Sequence, residues 1–455
     1  MKVMTIFLAA MLLPFSVYAT SIAIIDSGTD LKHLDLVKKA WVNPGETDGN
    51  KTDDDGNGYV DDINGWNFAE NNNQVIDYKY LGTFSHDVYR FFDVQYRLII
   101  GTATEADKKW YKEKINDENF VKELSKFANF VHGTHVAGIS ARDADAAKVM
   151  AVKLIPTEAG LGFFSDARDI IGAQPLADEI DPFMDFLIRM GIDKLADQQM
   201  GMLKTIGEYV NKAKMRVANC SFGTSMVQAK MIMAALLPMV INRDPTEEEI
   251  ELYAKYFMEK IIEKGKGFVD AAKNTFFVMA AGNDGTDNDE LPTSPANVKK
   301  QNTITVAATY EYKKLASFSN FGMKMVEVAA PGVGIKSAIP GDEYLMVSGT
   351  SQAAPFVANV ASRVLDINPK LNFDELKMII MKTVDRKEYL IDKVRSGGIV
   401  NPKRALEAAS LSLSMNVSNA IEQARQAVPD VVTTLQMPSR FEGFVIPLAP
   451  MFVLE

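Results

Sequence analysis

The sequence predicts an α/β fold in which a mostly parallel central sheet carries helices on both faces. Three observations lead there. Short apolar runs of strand length recur at residues 21–26, 149–154, 215–220, 275–281, 302–308 and 325–330. Segments with apolar residues at three- and four-residue steps separate them, and such alternation implies parallel strands joined by helices. The first run closes on Asp26, Ser27 and Gly28, as a buried strand does when it delivers a polar group to the C-terminal sheet edge, where open α/β sheets bind ligands.

Taken in chain order, residues 1–19 hold one base, Lys2, an apolar run from Met4 to Leu13, and Val17-Tyr18-Ala19. This is the pattern of a secretory leader cut after Ala19; Pro14 breaks the run, which is too short to span a bilayer. Secretion without disulfides follows, because Cys220 is the only cysteine; its place in an apolar stretch marks it as a buried, inert thiol. Residues 20–409 then read as one large domain with two helical surface insertions, 83–129 and 157–199. Met200, Leu203, Ile206 and Val210 form one helical stripe. Thr246-Glu247-Glu248-Glu249 is a capping box, followed by Ile250, Tyr253, Phe257 and Ile261 in a helix expected to end near Gly265. These stripes are core faces. A last helix follows Asn401-Pro402, and a tail covers 410–455. The net charge of −10 argues against a phosphate-binding surface, and hence against a nucleic-acid partner; a monomer with no membrane span after leader removal is expected.

Three remote segments carry chemistry: Ile25-Asp26-Ser27-Gly28, His132-Gly133-Thr134-His135 and Gly349-Thr350-Ser351-Gln352-Ala353-Ala354-Pro355. A serine hydroxyl is a weak nucleophile at neutral pH. It needs an imidazole to take its proton and a carboxylate to hold that imidazole in the right tautomer; Asp26, His132 and Ser351 can fill those roles. Ser351 precedes an Ala- and Val-rich helix running to about Leu365, and Pro355 is tolerable only in a first helical turn. Gly133 and Gly138 suit a helix start packed closely against another backbone.

Together the three segments, in the order Asp, His, Ser, resemble the subtilisin-like serine proteases, the subtilases of peptidase S8 type. The resemblance covers about Ser21 to Ala409 and implies the three-layer subtilisin-like fold. It assigns the base to the first histidine of its motif, His132, and a structural role to His135. It also makes Asn283, in Gly282-Asn283-Asp284, the oxyanion-hole amide beside the Ser351 backbone N–H. Ser221-Phe222-Gly223 resembles the strand that pairs with extended substrate and walls the specificity pocket. No acid can be placed at that pocket's floor, so large apolar side chains are expected before the scissile bond.

Asp53-Asp54-Asp55-Gly56-Asn57-Gly58-Tyr59-Val60-Asp61 spaces oxygen ligands at alternate positions with glycine sixth, as a calcium loop opens, although Asn64 stands where a closing glutamate belongs. Asp53, Asp55, Asn57, Tyr59 and Asp61 are the expected ligands of a structural Ca2+. Asp26 follows the expected leader too closely for an N-terminal propeptide, so the tail, with its apolar Phe444-Val445-Ile446 and Phe452-Val453-Leu454 clusters, is a substitute as an added strand or plug. The expected function is a secreted serine endopeptidase acting on polypeptides through an acyl-enzyme on Ser351. The alternatives are a transpeptidase or cyclase on the same frame, and a catalytically silent binding or inhibitory protein.

Overall fold

The computed structural model describes residues 20–158 and 179–432 together with a strand at Ala449–Pro450. The expected leader, residues 159–178 of the second insertion and the rest of the tail lie outside the described residues. In chain order the strands are β1 (Ser21–Asp26), β2 (Gly65–Asn67), β3 (Lys148–Lys153), β4 (Val217–Cys220), β5 (Phe222–Ser225), β6 (Phe276–Ala280), β7 (Thr293–Ser294), β8 (Thr303–Tyr310), β9 (Lys314–Leu315), β10 (Val328–Pro331), β11 (Ile335–Ile339), β12 (Glu343–Val347), β13 (Asp385–Arg386), β14 (Gly398–Ile399) and β15 (Ala449–Pro450). The α-helices are α1 (His86–Ile99), α2 (Glu105–Ile115), α3 (Glu118–Ser140), α4 (Pro182–Lys212), α5 (Met226–Leu236), α6 (Glu247–Ala271), α7 (Thr350–Ile367), α8 (Phe373–Lys382), α9 (Pro402–Leu411) and α10 (Val417–Ala427).

The main sheet has the spatial order β13-β14-β10-β8-β6-β4-β1-β3-β2, with β9 on β8. Its neighbours are parallel except at β13–β14 and β8–β9. Successive strand side chains point to opposite faces, and that period sorts the core. Ile22 and Ile24 join Val136 of α3 and Val357 of α7 on one side, while Ala23 and Ile25 join Leu203 of α4 and Phe257 of α6 on the other. This is the three-layer architecture that the sequence predicts, and six of its parallel strands arise from the six apolar runs.

The helices depart from expectation in several places. The capping box of α6 forms, with Thr246 Oγ1 accepting from Glu249 N at 3.2 Å and Glu249 Oε2 accepting from Thr246 N at 2.8 Å, but the helix runs on to Ala271. Gly265 is therefore a packing residue rather than a stop: a Cβ there would lie 3.1 Å from Val298 Cγ2 and 3.5 Å from the sulfur of Met200. The described part of the 157–199 insertion is no surface addition either. Residues 182–199 are the first half of the long helix α4, and they bury Met184, Ile188, Ile192 and Leu195 in the second core. At the chain's end, α10 continues the body beyond 410, since Arg404 donates to Val428 O at 2.9 Å and to Asp430 Oδ1 at 2.8 Å.

Residues 83–129, expected to be an insertion, are helical and have their own aromatic core. Phe91 stacks on Tyr111 with centroids 4.8 Å apart, and Phe92, Phe120, Phe127 and Phe130 bury around them. Their last helix does not end where the insertion was expected to end: α3 passes without a break through His132 to Ser140. The inserted core and the histidine motif are thus one rigid rod.

Candidate active site

The parallel strands end on one edge, and β1 delivers Asp26 there. The Asp26 carboxylate is fully buried; its Oδ1 accepts from His132 Nδ1 at 2.6 Å and from Ser27 N at 2.8 Å. A buried carboxylate on Nδ1 fixes the tautomer that leaves Nε2 to act as a base. His132 lies in the second half of α3 rather than at a helix start. The reason for Gly133 is nonetheless backbone contact, since a Cβ would collide with the carbonyl oxygen of Gly28, itself at φ +118. Gly138 makes the same kind of close approach to Ser337 and Ala338.

Ser351 stands in the first turn of α7, where backbone N–H groups have no intrahelical acceptor. Gly349 packs closely beside it: a Cβ there would sit 2.8 Å from Gln352 Oε1 and 3.3 Å from Asn283 Nδ2, so those side-chain ends would have to shift. Pro355 lies past the first turn, contrary to expectation. Proline removes the N–H that would bond the carbonyl four residues back, which is that of Ser351. The Ser221 hydroxyl donates to this freed carbonyl at 3.1 Å and accepts from Asn219 Nδ2 at 2.8 Å. In return, Ser351 Oγ donates to Ser221 O at 3.2 Å.

Asn283 follows β6 in a loop whose Gly282 has φ +118. Its Oδ1 accepts from Thr350 N at 2.9 Å and from Thr350 Oγ1 at 2.8 Å. Thr350 Oγ1 in turn accepts from Gly282 N at 3.2 Å. Oδ1 is held in this way, and Asn283, His132 and Ser351 line one cavity together. A donor fixed before charge develops is the arrangement that stabilises an oxyanion.

His135 and His33 are structural in their surroundings. His135 is fully buried with Nε2 at 3.1 Å from Ile335 O and 3.0 Å from Leu345 O, so Nε2 carries the hydrogen. Burial pushes its pKa down to about 3. His33 Nε2 meets Glu343 O at 3.2 Å.

A match to the model of the Subtilase family, Peptidase_S8, spans residues 18–402. The chain belongs to that family. It is 42% identical over 114 residues to "Thermophilic serine proteinase" of Bacillus sp. (strain AK1), covering 25% of this chain and 26% of that one. It is 39% identical over 98 residues to "Alkaline elastase YaB" of Bacillus sp. (strain YaB), covering 22% and 24%. With "Subtilisin-like protease 1" of Plasmodium berghei (strain Anka) it shares 24% identity over 403 residues, covering 87% and 50%. The chain therefore spans half the length or less of these curated relatives. Among solved structures, a lanthipeptide protease is similar with a TM-score of 0.45 at 16% identity, covering 85% of this chain and 86% of that one.

Two expected sets of this subtilase need correction. The side chain of Phe222 is fully buried in the second core, so at β5 only its backbone faces outward as an edge. That edge is already partnered: β15 pairs with it in parallel, Ala449 opposite Phe222 and Pro450 opposite Gly223. In the acidic loop, Asp53 accepts from Asn57 N and Gly58 N, Asp61 Oδ2 accepts from Lys51 N, and Tyr59 packs on Trp66 and Tyr209. Asn57 hydrogen-bonds within the loop to Asp55 and Asp62. The carboxylates that converge are Glu46, Asp55 and Asp62, with oxygens within 4.8 Å of one another. None of the three forms an ion pair among the described residues, and burial raises the pKa of Asp62. Three clustered carboxylate oxygens with no positive side chain suit a hard cation. The sign that was available in the sequence is the doubled acid Asp61-Asp62, whose second member faces inward.

Proposed function

We propose that this subtilase is a secreted serine endopeptidase. The observation that carries the proposal is the 2.6 Å contact between buried Asp26 and His132, beside the cavity shared with Ser351 and the anchored Asn283. His132 takes the Ser351 proton as Oγ attacks a peptide carbonyl. Asn283 Nδ2 and the Ser351 N–H hold the oxyanion, and His132 returns the proton to the departing amine. Water then releases the acyl group. The hydrogen bond from Ser351 Oγ to Ser221 O is a resting one, and rotation about the Cα–Cβ bond turns the hydroxyl toward the imidazole; such contacts commonly tighten only with substrate bound. Incubation with casein, with and without a serine-phosphonylating reagent followed by peptide mapping, tests this. Phosphonate on Ser351 with loss of hydrolysis is the expected result; ligated products would instead favour the transpeptidase reading, and an unlabelled, inert protein the binding reading.

Ca2+ is the cation that Glu46, Asp55 and Asp62 would hold, and its role there is to cross-link the loop. Export directed by the leader completes the reading; among the described residues, no helix is long and apolar enough to cross a membrane. The tail is an internal occupant of the substrate edge, a reading supported by the β15–β5 pairing. Ala449→Pro, which removes a strand N–H, should raise the initial rate of peptide hydrolysis by the full chain, and a synthetic peptide of residues 441–455 should inhibit that variant.

A further inference from the structure

The inserted helix α1 reaches the catalytic groups, and the family's reaction gives its position a consequence. Phe92 and Gln95 of α1 and Val131 of α3 line the same cavity as His132, Asn283 and Ser351. Ser221, Phe222 and Gly223 do not line it. Space for a water-sized occupant is about 30 Å³, roughly the share of one water molecule in the liquid. Phe92 is 3% exposed and Gln95 2%. Phe92 is held by Phe127 at 5.8 Å between ring centroids and by Phe91 at 6.0 Å. Val347, which leads into the serine motif, packs against the same aromatic cluster. The wall therefore cannot retreat without repacking the whole insertion.

In acyl transfer the imidazole hands its proton to the leaving amine, so the chain beyond that nitrogen leaves on the imidazole side of the attacked carbon. The acyl side belongs to the β5 edge. We infer that Phe92 and Gln95 form the subsite for the residue immediately after the scissile bond, and that Phe92 restricts it to small side chains: glycine, alanine and serine. This rests on the endopeptidase reading and adds a specificity-determining role for the insertion. Its chemistry is steric. A rigid aromatic ring excludes side-chain volume, whereas a missing methylene in a pocket changes discrimination by roughly 10- to 200-fold.

The test is a peptide library randomised on both sides of the cleaved bond, digested by the full-length wild type, Phe92→Ala and Phe92→Leu, each preparation titrated with the phosphonylating reagent. The wild type should prefer Ala over Leu after the scissile bond by about tenfold or more. Phe92→Ala should reduce that ratio at least severalfold, and Phe92→Leu by less, with the preference before the bond unmoved in both. Phe92→Leu keeps most of the buried volume and serves if the alanine variant does not fold. A wild type that is indifferent to size at this position overturns the inference. So does a phosphonylated variant with an unaltered profile, or one in which both sides change alike. A wild type that is not phosphonylated on Ser351 overturns the endopeptidase reading with it.

Discussion

The two carboxylate-bearing sites of this subtilase, the sheet edge and the acidic loop, are built in opposite ways. At the sheet edge Asp26 and His132, 106 positions apart, meet at 2.6 Å. In the acidic loop Asp53, Asp55, Asn57, Tyr59 and Asp61 are near neighbours in sequence, yet only Asp55 belongs to the set that converges, and its partners are Glu46 and Asp62. Sequence proximity was the poorer guide. The edge site is legible because acyl transfer demands particular groups in particular roles, and a parallel sheet has one edge to which its strands deliver them. In the loop, amide N–H groups bond Glu46 and Asp55 as well as Asp53 and Asp61, so local turn bonds do not select the set; what selects it is where the folded loop brings Glu46 and Asp62 against Asp55.

The contrast is sharpened most by removing the edge groups. Ser351→Ala should lower kcat by about 10⁶-fold, and Asp26→Asn by about 10⁴-fold through loss of the right tautomer, both measured on a peptide substrate with folding checked by circular dichroism. Asn283→Ala should cost on the order of 10²–10³ in kcat with KM little changed. Retention of full turnover in any of these would break the site apart.

The next effect is on stability. His135 binds its proton only near pH 3 in the fold, against about 6.5 in the unfolded chain. The unfolded state therefore holds the extra proton between those values, and stability falls as pH drops through that window, by at most about 1.4 kcal/mol per pH unit. Urea unfolding between pH 7 and pH 4 should show the decline. His135→Gln should flatten it, even though the variant starts less stable at pH 7.

The smallest effect separates the two ligand sets in the loop. Calcium should raise the melting temperature of the wild type by a few degrees, as mass action on a folded-state site requires. Asp62→Asn should abolish that rise while stabilising the metal-free protein, since burial disfavours the Asp62 charge. Asp53→Asn should keep the calcium response. The reverse pattern would restore the alternating ligand set read from the sequence.

Cysteine chemistry supplies a check on the edge from the core side. Cys220 pairs in register with Ile25, one residue before Asp26, and burial, then the Asp26 charge, pushes its thiol pKa well up. It should resist alkylation at pH 8 until the protein unfolds, and labelling in the native state would contradict the packing around Asp26.

The sequence by itself determined six parallel strands of the main sheet and the layering of helices on both its faces, and it offered the candidate groups at the edge, because strand-length apolar runs, a helical period and the needs of a serine nucleophile are written in residue types. What it left open were the boundaries and the partners. Whether Gly265 ends a helix or seats one, whether Pro355 lies in the first turn, and whether Phe222 faces substrate or core are settled by contacts with Val298, Ser221 and the second core. Those contacts come from segments tens to hundreds of residues away. Tertiary structure alone also joined the aromatic core of residues 83–130 to the histidine helix and placed Phe92 on the cavity that Ser351 lines. Local propensity stops at the ends of a segment, whereas packing decides which far segment supplies the missing donor, the missing ligand or the wall.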